Sequence, residues 1–295
     1  MSIKTPRYFI PDNSAWPFIG SIALFCFGLG SAFLVNDVTA GKYIAGFGLI
    51  LLTYMLFGWF GQVIRESESG LYSKRIDISF RWSMGWFIFS EVMFFSALFG
   101  ALYYTRAVTL PELSSILSKE VLWPAFNPVW PTKVSPLPVE AYSGLGAMGL
   151  PAINTALLLA SGFTLTIAHH ALLKNKRKQL VGFLAATIAL GSIFLGFQIL
   201  EYSHAMSAHG ANLTLASGIY GSLFYFLTGF HGFHVLLGTI MLIVMLGRSM
   251  KGHFTPEQHF AFEAAAWYWH FVDVVWLILF VFVYVDIEKS LQNKT

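Results

Sequence analysis

The stretch from Trp16 to Asn36 reads WPFIGSIALFCFGLGSAFLVN and has no Asp, Glu, Lys or Arg in 21 residues. An α-helix rises about 1.5 Å per residue, so a run of this length crosses a hydrocarbon core of about 30 Å. The whole 295-residue chain has similar chemistry, because 56% of its residues are apolar and 11% are charged. Soluble domains carry roughly 25% charged residues. The composition therefore excludes a soluble globular fold and a disordered chain, and predicts an all-α membrane protein.

Six further apolar stretches of sufficient length follow the first, so we predict seven transmembrane helices in a single membrane domain over residues 1–295. The predicted helices run over about 15–36, 43–64, 82–105, 150–173, 180–203, 217–247 and 262–286. Residues from about 107 to 149 form a proline-rich connection between the third and fourth helices. Proline at this density breaks regular structure, so we expect this connection to lie outside the membrane.

Basic residues are distributed unequally between the two sides of the predicted bundle. The N-terminal tail and the 2–3, 4–5 and 6–7 loops carry twelve Lys and Arg residues, and the other side carries six. Because cytoplasmic loops are enriched in Lys and Arg, we predict a cytoplasmic N-terminus and a C-terminus on the opposite side. The net charge of +3 is small and scattered, which argues against a nucleic-acid partner.

One acidic residue, Glu91, lies near the middle of the third predicted helix, in FIFSEVMFFSALFG (87–100). A charged group deep in a bilayer costs at least about 2.5–3.5 kcal/mol on insertion scales, so its presence requires an explanation. One explanation is a proton-linked or lipid-facing carboxyl group. The other is a neutral acid hydrogen-bonded to a neighbouring helix. The position of Glu91 alone does not separate the two.

The seventh predicted helix carries Glu263, His270 and Asp273, and its His270 and Asp273 are i,i+3 neighbours that can pair. These residues form either an internal proton or ligand site, or a polar network that binds this helix to a neighbour. The network is favoured, because polar groups commonly join helices inside membranes. The predicted buried proton-binding or polar network comprises Glu91, Glu201, His231, Glu263, His270 and Asp273.

Histidines raise the possibility of a metal site. A stand-alone metalloenzyme could use His231, His234 and His270, since His231 and His234 share a helix face. The adjacent His169 and His170 point about 100° apart on a helix, so at most one of them faces any given site. Interhelical and interfacial hydrogen bonding explains these histidines more simply. We therefore predict no metal ligand on this chain.

Arg248, Lys251 and His253 cluster where the sixth predicted helix leaves the membrane on the basic side. A basic pocket of this kind can hold an anionic lipid headgroup. Ordinary positive-inside flanking charge explains the same residues, and the two explanations do not exclude each other.

The segment Phe262–Trp276, FEAAAWYWHFVDVVW, closely resembles the signature of subunit III of haem–copper cytochrome c oxidases. The same resemblance extends over essentially the whole chain and in the family's order. It includes WPFIGS (16–21), SEVMFF (90–95), GIYGSLFYFLTGFHGFHVLLG (218–238) and HFAFE (259–263). Seven helices fit the cytochrome c oxidase branch, whereas quinol-oxidase relatives are typically shorter.

The resemblance implies an accessory subunit that has no cofactor of its own and binds structural phospholipid. Its partners would be oxidase subunits I and II, which hold the haem and copper and receive electrons from cytochrome c. It also implies a V-shaped arrangement of helices 1–2 against helices 3–7, and support of proton uptake into the core subunit. Glu91 matches the family's carbodiimide-reactive buried acid. Positions matching the family's lipid-binding residues are Trp59, Glu91, His234, Arg248, Lys251 and His253.

Two further functions stay open at this point. The chain could be subunit III of a quinol oxidase, or a proton-coupled transporter built around Glu91, although no internal repeat of the kind found in transporters is visible. The long proline-rich connection and the bacterial-looking sequence variants favour a bacterial inner (cytoplasmic) membrane, which would place the C-terminus in the periplasm.

Overall fold

A computed structural model of the chain describes residues 9, 13–115, 118, 121, 124, 126, 130–131, 145–207 and 211–285. Within these residues, seven helices are long and apolar enough to cross a membrane, which confirms the predicted all-α membrane fold. Most of the proline-rich connection and the predicted end of the last helix at 286 lie outside the described residues.

The seven transmembrane helices, named here in chain order, are α1 (Trp16–Val35), α2 (Ala40–Glu68), α3 (Lys74–Tyr104), α4 (Leu150–Leu173), α5 (Arg177–Met206), α6 (Gly218–Lys251) and α7 (Phe260–Leu279). Two of them continue beyond their last α-helical residue. A π-helical turn (Thr105–Thr109) and a short helix (Leu110–Leu113) follow α3, and a π-helical segment (Phe280–Val285) follows α7.

Several helices extend further than the apolar stretches predicted. α3 begins at Lys74 rather than near 82, and α2 continues to Glu68 rather than ending near 64. Absence of charge delimits only the part of a helix that lies in hydrocarbon, whereas a helix can continue through polar turns. In α3 the additional turns are stabilised by an i,i+4 ion pair, in which Arg81 Nε donates to Asp77 Oδ2 at 2.8 Å.

The described residues form two compact units, one up to Trp82 and one from Ser83 onward. The first unit contains the hairpin of α1 and α2, whose facing surfaces consist mainly of glycine and alanine. A Cβ atom added to Gly30 would collide with the backbone of Ala45, and one added to Gly48 would collide with the backbone of Phe27. The two helices therefore approach each other closely, as small residues allow in membranes.

The second unit is a helical bundle in which α4, α5, α6 and α7 each pack against the next, and α7 packs back against α4. Its core is rich in buried aromatic side chains. Trp269 has no solvent exposure and occupies a slot between Gly191 of α5 and Gly238 of α6. Its indole nitrogen donates a 2.9 Å hydrogen bond to Ser161 Oγ on α4. One side chain thus contacts three helices around α7. The single-domain organisation and the V-shaped arrangement stay predictions.

Candidate functional site

Glu91 of α3 is paired with a histidine of α6. The Nε2 atom of His234 lies 2.8 Å from Glu91 Oε2, and its Nδ1 atom lies 2.6 Å from the carbonyl oxygen of Phe230. Both side chains are largely buried, with exposures of 9% for His234 and 22% for Glu91. The sequence analysis placed both residues in the lipid-binding set but did not predict that they pair, although it offered a bond to a neighbouring helix as one explanation of Glu91.

The hydrogen bonds fix the number of protons on this pair. A carbonyl oxygen can only accept, so Nδ1 of His234 carries a proton and donates it to Phe230. The contact between Nε2 and Oε2 then needs one further proton, which sits on either the imidazole or the carboxyl group. In both cases the pair has no net charge. This neutrality explains how an acid is accommodated in the middle of a membrane helix.

Aromatic rings surround the pair. The ring of His234 lies 5.0 Å from Phe95, 6.2 Å from Phe94 and 6.2 Å from Tyr268, measured between centroids. Such rings exclude water and lower the local dielectric constant, which strengthens the interaction between Glu91 and His234. Helices α3, α6 and α7 all contribute to this enclosure.

The polar residues in the middle of α7 have their own partners. His270 Nδ1 lies 3.4 Å from Asp273 Oδ2, the i,i+3 spacing considered in the sequence analysis. Asp273 packs so closely against α4 that a Cβ atom on Gly162 would collide with its carboxyl group. His231 is fully buried, and its Nε2–H donates to the carbonyl oxygen of Val272 at 3.1 Å.

Two of the six residues grouped in the sequence analysis, Glu201 and Glu263, lie far apart, and the single network stays a prediction. Glu201 is buried near the end of α5, with the Tyr284 hydroxyl group beside it. Tyr284 is separated from Glu263 by 21 positions of the same helical segment, which corresponds to about 30 Å along the axis. His231, His234 and His270, the residues of the metalloenzyme alternative, each interact with a different partner.

A third acid–histidine group lies at the basic end of the bundle. One ring nitrogen of His169, one of His259 and a carboxylate oxygen of Glu263 all lie within 4.8 Å of one another. His259 precedes α7, Glu263 is in its first turn, and His169 is in the last turns of α4. The sequence analysis did not combine these residues, because nothing in the sequence indicates that the end of α4 meets the start of α7.

The residues of the predicted basic lipid pocket differ in exposure. Arg248 is buried and its guanidinium group lies 4.5 Å above the ring of Phe254, whereas Lys251 is exposed and His253 is half-buried. Arg177, which the sequence analysis did not single out, donates hydrogen bonds to the carbonyl groups of Ser249 and Met250. A cation at this position compensates the unpaired carbonyl groups at the C-terminus of α6.

The first unit has a polar chain at its basic end. Trp16 Nε1 donates to Gln62 Oε1, and Gln62 Nε2 donates to Glu66 Oε1, both at 2.8 Å. The hydroxyl group of Tyr72 donates to the other oxygen of Glu66, also at 2.8 Å. Partial burial and the neighbouring Glu66 carboxylate raise the pKa of Tyr72. Trp59, a predicted lipid-binding residue, is 45% exposed and stacks against Phe60.

These features define an integral membrane protein that has seven membrane-spanning helices among its described residues and several acid–histidine contacts between or along them. The sequence matches the family "Cytochrome c oxidase subunit III" over residues 6–286. It is 41% identical to cytochrome c oxidase subunit 3 of Marchantia polymorpha over 285 residues, covering 96% of this chain and 97% of that protein. It is also 41% identical to the same subunit of Cyprinus carpio over 288 residues, covering 96% and 98% of the two chains.

The match to subunit 3 of Arabidopsis thaliana is 40% over 278 residues and covers 94% of this chain and 95% of the relative. The chain therefore belongs to the cytochrome c oxidase subunit III family, as the sequence resemblance predicted. Membership in this family makes it one subunit of an oxidase complex.

Proposed function

We propose that the chain is a non-catalytic accessory subunit of a proton-pumping cytochrome c oxidase, in which oxidase subunits I and II hold the haem and copper. The observation that carries this proposal is the Glu91–His234 pair. Its members satisfy each other inside an aromatic enclosure, and together they share one proton, in addition to the one on His234 Nδ1, without net charge. Such a pair suits a structural role and a fixed protonic environment for a neighbouring subunit better than it suits a relay that passes protons through the chain.

The pair leads to a test on proton pumping. In the Glu91→Gln variant, the amide group still reaches His234 but cannot exchange a proton with it. We expect the proton-to-electron ratio of the reconstituted oxidase to stay near the wild-type value. His234→Gln is the matched variant on the other side of the bond and should behave alike. A ratio that falls to that of a non-pumping oxidase in either variant would contradict the accessory role and make Glu91 a relay.

Phospholipid binding is the second part of the proposal. The basic residues at the C-terminus of α6 and the exposed ring of Trp59 are suited to headgroups and to the membrane interface. Because Arg248 is buried over Phe254, Lys251 and His253 are the residues of this pocket that a phosphate group can reach most directly. Lipid held here would stabilise the oxidase against loss of activity during turnover.

The lipid proposal is tested by Lys251→Gln combined with His253→Gln, and the control is Lys178→Gln, which removes an exposed charge on the same side. We expect less phospholipid phosphorus per purified complex and a shorter catalytic lifetime in the double variant only. Equal lipid content and lifetime in the double variant and the control would show that these residues are ordinary flanking charges.

The electron donor and the location belong to the same proposal. Cytochrome c is the proposed donor because the relatives are named cytochrome c oxidases, and quinol oxidation by the purified complex would support the alternative branch. The N-terminus is proposed to be cytoplasmic and the C-terminus periplasmic in a bacterial inner membrane, on the basis of loop charge and the long connection. The relatives compared above are plants and a fish, so they do not support the bacterial assignment.

A further inference from the structure

The group formed by His169, His259 and Glu263 lies apart from the Glu91–His234 pair and has no part in the proposed function. Glu263 Oε1 is 3.3 Å from His259 Nε2 and 3.8 Å from His169 Nε2. The two imidazole rings are 5.5 Å apart between centroids. Side-chain exposures are 8% for His259, 15% for Glu263 and 27% for His169, so the group is sheltered while one histidine stays accessible.

The ring of His259 is oriented by a hydrogen bond on its other nitrogen. Nδ1 lies 3.1 Å from the carbonyl oxygen of Thr255, so Nδ1 carries the proton. This bond selects the tautomer in which Nε2 is free to act as a ligand. A backbone carbonyl that holds the far nitrogen of an imidazole is the usual arrangement around a metal-binding histidine.

The Nε2 atoms of both histidines are buried and have no hydrogen-bond partner among the described residues. Glu263 Oε1 is close enough to His259 Nε2 for a hydrogen bond, but the two atoms do not form one. Distance is therefore not the obstacle, and we infer that the oxygen lies to one side of the direction in which Nε2 would bond. Two imidazole nitrogens thus converge on one carboxylate oxygen, Glu263 Oε1. A cation between them would give both Nε2 atoms a partner.

The donor set identifies the class of ion. Two imidazole nitrogens with one carboxylate oxygen are a common ligand set for Zn²⁺, with a fourth position for water. In a tetrahedral site with bonds of about 2.0–2.1 Å, ligand atoms lie about 3.3–3.4 Å apart. The distance between His259 and Glu263 already has this value, and only His169 needs to move inward.

We propose that this group is a binding site for a zinc ion, with His169 Nε2, His259 Nε2 and a carboxylate oxygen of Glu263 as its ligands. Bound zinc would join the last turns of α4 to the first turn of α7 at the basic end of the bundle. This proposal differs from the prediction made from the sequence, that the chain carries no metal ligand, because the sequence alone does not show that His169, His259 and Glu263 come together.

The adjacent histidine provides a matched control. His170 is exposed and its Nδ1–H donates to the carbonyl oxygen of Thr166, so it lies outside the group. The full chain is purified with its bound subunits, equilibrated with zinc chloride at a fixed free concentration, desalted, and analysed for zinc by mass spectrometry. We expect His169→Gln and Glu263→Gln to contain one zinc per chain less than wild type, and His170→Gln to retain the wild-type content. Comparison between variants cancels zinc bound elsewhere.

A second measurement uses only the wild-type protein. Crystals soaked in zinc should give an anomalous difference peak between the two Nε2 atoms and the Glu263 carboxylate group. The proposal is wrong if the zinc content is the same in all four proteins, or if soaked crystals have no peak at this position. Either result would mean that the group shares a proton and not a metal ion.

Discussion

Both units pack helices against one another inside a membrane, but they use different kinds of side chain at the contacts. Between α1 and α2 the contact surface consists mainly of glycine and alanine, and the backbones nearly touch. Among α4 to α7 the helices are joined by large aromatic side chains, and the indole nitrogens of Trp269 and Trp276 donate hydrogen bonds to Ser161 and Thr155 of α4.

The difference follows from the absence of a hydrophobic driving force between helices in lipid. Helices there associate through close van der Waals contact or through hydrogen bonds between them. The α1–α2 hairpin relies mainly on close contact, with the Trp16–Gln62 hydrogen bond at one end, whereas in the bundle hydrogen bonds between helices also lie in the core. The buried acids and histidines of the proposed function all lie in the bundle, where partners for them exist.

The strongest test of the comparison is Gly48→Val. A side chain at this position meets the backbone of Phe27, which cannot rotate away, so α1 and α2 must separate. We expect a loss of about 2–3 kcal/mol in the free energy of unfolding, in the upper part of the range of about 1–3 kcal/mol found for overpacking. Titration with sodium dodecyl sulphate, followed by circular dichroism, measures this loss. The control is Gly46→Val, because a Cβ atom added to Gly46 would point into open space. Equal losses in both variants would disprove the tight backbone contact.

In the bundle the corresponding change is Gly191→Ala. The new Cβ atom would lie 2.5 Å from Cη2 of Trp269, but a side chain can shift where a backbone cannot. We therefore expect a smaller loss, about 1–2 kcal/mol, which includes weakening of the Trp269–Ser161 bond. The same titration measures this loss, and tryptophan fluorescence reports any change in the environment of the Trp269 ring. Gly196→Ala, which has open space around it, should be neutral. If Gly191→Ala lost more free energy of unfolding than Gly48→Val, the bundle and not the hairpin would be the unit that tolerates added side chains less well.

The role of hydrogen bonds is tested by Thr155→Val in the bundle and Thr53→Val in the hairpin. Thr155 Oγ1 accepts from the indole of Trp276, whereas Thr53 bonds only the Leu49 carbonyl group of its own helix. Removing an interhelical acceptor in a membrane costs roughly 0.5–1.5 kcal/mol, so Thr155→Val should lower the free energy of unfolding by that amount. Thr53→Val should have no effect. Equal losses in the free energy of unfolding for the two variants would mean that hydrogen bonds between helices do not distinguish the units.

The smallest expected effect concerns Tyr72, at the polar end of the hairpin. Its raised pKa means that the folded chain retains the phenol proton at a pH where the unfolded chain loses it. Stability should therefore fall as the pH rises above about 10, the ordinary pKa of tyrosine. Tyr72→Phe removes this contribution, so its unfolding midpoint should fall less steeply between pH 9 and 11, a range set at about one unit either side of that pKa. Parallel pH curves would contradict the predicted coupling to Glu66.

Sequence reasoning recovered the seven helices because a charge-free stretch long enough to cross the membrane is a strong local signal. It placed the helix ends less well, since polar turns such as that of Arg81 and Asp77 continue the helix into water. It also identified His270 and Asp273 as possible partners, because i,i+3 spacing lies within one helix.

Contacts between helices were harder to predict. Glu91 and His234 are 143 positions apart, and their meeting depends on which helices are neighbours and how each is rotated about its axis. The group of His169, His259 and Glu263 was missed for the same reason. The argument that adjacent histidines point about 100° apart was nevertheless useful, since the structure has His169 in that group and His170 exposed.

The neutral Glu91–His234 pair has an electrical consequence. Moving one charge across a whole membrane changes its energy by about 2.3 kcal/mol for each 100 mV of membrane potential. The proton in this pair can move no further than the 2.8 Å between its two heavy atoms, which is about a tenth of a hydrocarbon core of about 30 Å. A potential of about 100 mV can therefore bias the position of the proton by only about 0.2 kcal/mol, which is less than thermal energy. A membrane potential of this size therefore leaves the proton where the local chemistry puts it.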